Sequence, residues 1–152
     1  MAITIRPISA NLVPLDLLLI ADPSEQQIAL YLPHAECFVA EDERVLAVCV
    51  VKSIDPYSAE IVNIAVYPDQ QGTGVGTKLL RFLIDQLRGR GVKQLVLGTG
   101  TFGYQLTFYQ RLGFRVIEVE RNYFLKHYDQ PIYESGIQHK DRLMLELDLS
   151  ET

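Results

Sequence analysis

Three glycines stand at every second position in the stretch QGTGVGT: Gly72, Gly74 and Gly76. They follow an apolar run and precede a helical pattern. A helix N-terminus leaves N–H groups unpaired and carries partial positive charge. Glycines beside it let the main chain approach an anion with no side chain in the way. The stretch therefore reads as a phosphate cradle made of backbone. Two common phosphate motifs do not fit it. A P-loop needs Gly-Lys followed by Ser or Thr, whereas Gly76 is followed by Thr77 and then Lys78. A dinucleotide fingerprint needs G-x-G-x-x-G in the first strand–helix unit; here the spacing is G-x-G-x-G and several strands come first.

The elements that must position this joint follow from periodicity and turn residues. ITIRPI alternates as an opening strand. Pro14 and DPSEQQIALYL give a helical stretch with Asp22 or Ser24 as N-cap. ECFVAEDERVLAVCVVKSI reads as two strands around the turn EDER, and DPY marks the next turn. AEIVNIAVY is a third apolar strand, ended by Pro68. GVGTKLLRFLIDQLRGRG is an amphipathic helix with Val75, Leu79, Phe82, Leu83 and Leu87 on one side. Gly89 and Gly91 stop it. VKQLVLGT is a short buried strand, YQLTFYQRLG a short helix, and FRVIEVER a strand. NYFLKHYDQPIYESGIQHKD is a long polar and aromatic connection, and RLMLELDL alternates as the last strand. Meanders mixed with strand–helix–strand units imply an α/β chain with a mixed sheet and helices on its faces.

Length and composition bound the rest. The chain has 152 residues, 48% of them hydrophobic and 22% charged, which suits one ordinary domain with a core. A net charge of −5 argues against nucleic acid as the main partner and favours small cations such as amines. The two cysteines, Cys37 and Cys49, sit in apolar strand-like runs and read as reduced thiols of a cytoplasmic protein. No Cys/His spacing suggests a metal site. The start lacks a signal-peptide pattern, and LVPLDLLLI is too short to span a membrane.

QGTGVG, preceded by IVNIAVYPDQQ and followed at distance by FYQRLGF, resembles the two ordered signatures of the Gcn5-related N-acetyltransferase family. The likeness covers most of the chain and is clearest from Glu60 to Phe114. It implies a single N-acetyltransferase domain over residues 1–152, with a mostly antiparallel, splayed mixed sheet that binds acetyl-CoA. It further implies that the edge of Ile64, Ala65 and Val66 hydrogen-bonds the pantetheine arm. The backbone of Gln71, Gly72, Thr73, Gly74, Val75, Gly76 and Thr77 would hold the pyrophosphate. Where many members carry an Asn before the FY helix, this chain reads GTGTFGYQ. Thr99, Thr101 and Gln105 are the residues there that could substitute.

Acetyl transfer to an amine poses two proton problems. An amine of pKa about 10.4 must lose a proton before attack, and a thiolate of pKa about 8.5 leaves better protonated. Tyr109 matches the family's tyrosine and is the expected general acid. Glu60, at the start of the strand before the cradle, is a candidate base, as are Glu118 and Glu120; a water chain would serve equally. The backbone N–H of Val66 is a candidate oxyanion donor. The late connection gathers Tyr128, Tyr133, Glu134, His139 and Asp141. Of these, Glu134 and Asp141 are the expected holders of a cationic small-molecule or peptide amine. The competing reading is a non-catalytic acyl-CoA-binding or sensor module. RLMLELDL offers an edge for pairing in a homodimer.

Overall fold

The computed structural model describes residues 2–150. The chain divides into two compact units, Met1–Lys93 and Gln94–Thr152. Both are antiparallel strands with helices packed on them, the mixed α/β class expected from the sequence.

The first unit contains β1 (Thr4–Ile8), α1 (Leu15–Ala21), α2 (Glu25–Tyr31), β2 (Glu36–Glu41), β3 (Val45–Asp55), β4 (Ser58–Val66) and α3 (Val75–Gly89). Its strands lie in the order β1-β2-β3-β4. Side chains set the two hairpins: Asp42 accepts the Arg44 N–H at 3.1 Å, and Asp55 accepts the Tyr57 N–H at 2.8 Å. Ser24 caps α2 by accepting the Gln27 N–H at 3.2 Å. In β2 and β3 the runs Cys37–Ala40 and Leu46–Val51 are buried without alternation, because helices cover the sheet. Leu17 and Leu18 of α1 are 0% and 1% exposed, and each such side chain contributes about 1.5–3 kcal/mol by burial. The buried face of α3 is wider than its heptad-like stripe suggests. Leu80 and Ile84 join Val75, Leu79, Leu83 and Leu87, while Phe82 is half-buried and meets Phe38 edge-on at 5.9 Å.

The second unit contains β5 (Gln94–Gly100), α4 (Tyr104–Arg111), β6 (Arg115–Glu120), α5 (Tyr123–His127), β7 (Tyr133–Glu134), β8 (Ile137–Gln138) and β9 (Arg142–Asp148). Within it β9 pairs with both β5 and β6, antiparallel to each. The final strand is therefore interior, and the sequence-based suggestion of RLMLELDL as an edge for homodimer pairing is corrected. Being the last, apolar strand suggests an edge; two flanking partners hold β9 in the middle.

The long connection is also more ordered than its composition suggests. It holds one helical turn and a small hairpin in which Glu134 pairs with Ile137. The signal for the hairpin is the Ser-Gly dipeptide: Ser135 and Gly136 both take positive φ, 53° and 77°, as a type I′ two-residue turn requires. Among the described residues no helix is long and apolar enough to cross a membrane.

Candidate active site

The glycine joint lies where β4 runs into α3. A short 3-10 turn, Pro68–Gln70, follows β4, and Gly74 caps α3 in the left-handed region at φ 89°. Any side chain there would be strained, so glycine is the residue that lets the chain enter the helix at this angle. Main-chain amides of Val75, Gly76 and Thr77 precede the first helical bond, from the Lys78 N–H to the Gly74 carbonyl at 3.1 Å. No acidic residue occupies the first turn. A Cβ built on Gly72 or Gly74 meets nothing within 4 Å, so the backbone there borders open space. These features fit an anion held by main chain.

Side chains hold the joint in place. Gln71 Nε2 donates to the Val66 carbonyl at 3.0 Å, and Thr73 Oγ1 donates to the Gln70 carbonyl at 2.6 Å. Tyr67 donates its hydroxyl to Asp16 at 3.0 Å, and Arg44 pairs with Asp69. Burial, and then the Asp16 carboxylate, raise the Tyr67 phenol above its ordinary pKa.

Ile64, Ala65 and Val66 end β4, and each pairs on one side with β3, opposite Cys49, Val48 and Ala47. The register slips between Val50 and Val51 of β3, where Asn63 and Ile61 are the successive partners, so Val62 is an extra residue in β4. Glu60, Ile64 and Val66 all occupy half-buried positions of β4. Glu60 faces Lys52 across the ladder at 3.5 Å. Asn63, on the buried set, donates to the Leu18 carbonyl and to the Tyr31 hydroxyl, both at 3.0 Å, and so ties β4 to α1 and α2.

In the second unit Tyr109 lies on α4 and is 7% exposed. Its ring meets Phe114 edge-on at 5.9 Å and Phe108 at 5.4 Å. Glu118 is exposed on β6, whereas Glu120 accepts from Arg142 Nε at 2.6 Å. Arg142 also lies 3.6 Å above the Tyr123 ring. Asp141 Oδ1 accepts the Asn122 N–H at 2.7 Å and so fixes the start of α5. Glu134 Oε1 lies 2.8 Å from Nε2 of the buried His139. The hairpin thus joins two residues that sequence reasoning placed in one loop without pairing them. Arg142 was not singled out at all, because nothing local marks an arginine at the head of an apolar strand as a partner for Glu120.

Two hollows lie on the surface. An open hollow of about 290 Å³ is lined by Phe124, Tyr128, Asp129, Ile132 and His139, among others. A second, of about 410 Å³, lies in the first unit beside the Glu36–Arg90 pair. Among the described residues no group of His, Cys, Asp and Glu is arranged to hold a metal.

Residues 33–116 match the family model described as an acetyltransferase (GNAT) domain, more than half of the chain. The chain belongs to this family. It is accordingly an N-acetyltransferase by class. An uncharacterized N-acetyltransferase of Bacillus subtilis is 40% identical over 88% of this chain and 88% of its own. A GNAT-family acetyltransferase from Elizabethkingia anophelis, solved with acetyl-CoA bound, superposes with a TM-score of 0.91. It shares 38% identity and covers 96% of this chain and 97% of its own. The ribosomal protein bS18 alanine N-acetyltransferase of Salmonella typhimurium is 33% identical over 72% of this chain and 68% of its own. The GNAT match spans the glycine joint, α4 with Tyr109, and all of β4.

Proposed function

We propose that this chain is an acetyl-CoA-dependent N-acetyltransferase that moves the acetyl group to a primary amine of a small molecule or peptide by direct attack. The observation that carries the reading is the start of α3: three amides ahead of the first helical bond, no acidic side chain in the first turn, and open space at Gly72 and Gly74. Gln71–Thr77 would hold the pyrophosphate, and the backbone of Ile64, Ala65 and Val66 the pantetheine arm. The solved relative with acetyl-CoA supports the choice of ligand, and the bS18 relative supports a peptide amine among the acceptors.

In this reading the amine nitrogen attacks the thioester carbonyl, a C–N bond forms and the C–S bond breaks. The amine's proton passes to a base, for which Glu60 is the proposed group. Tyr109 gives its phenolic proton to the departing thiolate. Val66 N–H is the proposed donor to the oxyanion. Glu134 and the second oxygen of Asp141 supply negative charge for the acceptor's ammonium. Residues 1–152 act as one domain, and the buried free thiols of Cys37 and Cys49 support a cytoplasmic setting.

A thermal-shift panel tests the ligand. Acetyl-CoA and CoA are expected to raise Tm while ATP and NAD do not; stabilisation by ATP or NAD but not by CoA would sink the reading. Tyr109→Phe tests the acid. Turnover is expected to fall by about 10²-fold or more with CoA binding intact. Unchanged turnover would remove Tyr109 from the mechanism.

A further inference from the structure

The stretch GTGTFG, Gly98 to Gly103, departs from the family's usual Asn-bearing sequence, and its residues surround the His139–Glu134 pair. Phe102 stacks on the His139 ring, with centroids 4.1 Å apart and planes at 7°. Phe124 approaches the same ring at 5.7 Å. A Cβ on Gly100 would lie 2.5 Å from His139 Nδ1, so only glycine leaves room for the imidazole. A Cβ on Gly103 would lie 2.7 Å from Glu134 Oε2, so the second glycine leaves room for the carboxylate. Gly103 is also the residue that caps α4.

This socket fixes the tautomer. With Nε2 against a carboxylate oxygen, Nε2 carries the proton and donates it. His139 Nδ1 is buried and has no hydrogen-bond partner among the described residues. An imidazole stacked on one ring, flanked by another and seated over a bare Cα cannot turn to choose another partner. It therefore holds Glu134 Oε1 in one place, while Oε2 packs beside Gly103, on a side chain that is 31% exposed. Tyr104, exposed, stands near the same carboxylate: burial first, and then the Glu134 charge, raise its phenol above the ordinary value. A carboxylate oxygen beside an exposed aromatic ring is a recognition pair for an ammonium group.

We propose that His139, seated in the socket of Gly100, Phe102 and Gly103, is a positioning residue that aims Glu134 at the ammonium of the acceptor and so selects cationic over neutral acceptors. The inference rests on the amine-acetyltransferase reading above and adds to it the device that sets acceptor charge preference. His139 does not touch the acceptor; it acts through Glu134.

Imidazole ¹⁵N spectra can test this, because the chain has 3 histidines and His139→Gln assigns the relevant signal. The probes are phenethylammonium and its neutral counterpart 2-phenylethanol. Phenethylammonium is expected to move the His139 Nε2 signal, and the alcohol is not. Equal shifts from both, or none from the ammonium, would overturn the proposal. Glu134→Gln keeps the shape and still accepts from Nε2. It is expected to lose the preference for the ammonium by about tenfold while Tm and acetyl-CoA affinity hold. A preserved preference in that variant overturns the proposal as well. His139→Gln, which can still donate to Glu134, is expected to retain most of the preference, and His139→Leu to lose it. Acetyl-CoA binding is measured on each variant. A wild-type chain that fails to bind acetyl-CoA refutes the acetyltransferase reading itself, whereas lost charge preference with intact acetyl-CoA binding bears on the socket alone.

Discussion

The two glycine-rich stretches, QGTGVG and GTGTFG, read almost alike and are built for opposite ends. At Gly72 and Gly74 the space where a side chain would go is open, and positive φ, 81° and 89°, sets the turn. Around GTGTFG the space is filled. Arg142 occupies it at Gly98, His139 at Gly100 and Glu134 at Gly103. One stretch uses glycine to leave backbone uncovered; the other uses it to let polar side chains pack against a strand end. Glycine alone is thus not evidence of an anion site; what occupies the missing Cβ position tells the two stretches apart.

The sharpest way to break this comparison is to put charge into the open stretch. Gly74→Glu places a carboxylate beside the amides of the α3 N-terminus. CoA affinity is expected to fall by at least about a hundredfold, ~2.7 kcal/mol, read by calorimetry. Near-normal binding would move the phosphate site elsewhere.

A smaller and more diagnostic effect comes from alanine in each stretch. Gly100→Ala drives a methyl into a rigid, buried imidazole, and overpacking of this kind costs about 1–3 kcal/mol. Trimming the obstacle, in Gly100→Ala with His139→Ala, is expected to return part of that loss in urea unfolding. Gly72→Ala meets no atom, so its cost, about 1–2 kcal/mol, comes from φ alone. No second substitution that trims a neighbour is expected to relieve it. If Gly100→Ala were neutral, or if trimming His139 gave nothing back, the two stretches would not differ as described.

The smallest effect lies outside both stretches and serves as their control. Burial, and then the Glu36 charge, push the Cys37 thiol up to about 11. A raised thiol pKa means the fold prefers the neutral form. That stabilisation is whole below the unfolded value of about 8.5 and is lost as pH climbs toward the folded one. The urea midpoint is expected to slip between about pH 9 and pH 11, less so in Cys37→Ser. Native protein is expected to resist iodoacetamide at neutral pH. Rapid alkylation there would show the thiol to be accessible.

Much of the frame was legible because local rules and tertiary packing agree in it. Ser24 caps its helix, DPY turns a hairpin, and the apolar stripe of α3 meets the sheet it predicts. The glycine joint was legible for the same reason: a strand, a Pro, alternating glycines and a helix are contiguous, so chain order dictates geometry. The connection between β6 and β9 was less so. Its polar and aromatic composition hid a helical turn started by Asn122 and Asp141, partners 19 residues apart. The interior place of β9 was hidden as well, because alternation reports a face of the sheet and not the neighbours on either edge.

The sequence by itself determined the class of fold, the strand–glycine–helix joint and the family, since each depends on residues adjacent in the chain or on ordered motifs. Only the tertiary structure decided which partners Glu134, Asp141, Glu120 and His139 find. Their charges find partners through a hairpin, a helix start and a strand pairing, and a side chain's environment is set by what folds against it. The sequence shows that Gly100 lacks a side chain; the fold puts the His139 ring in that space.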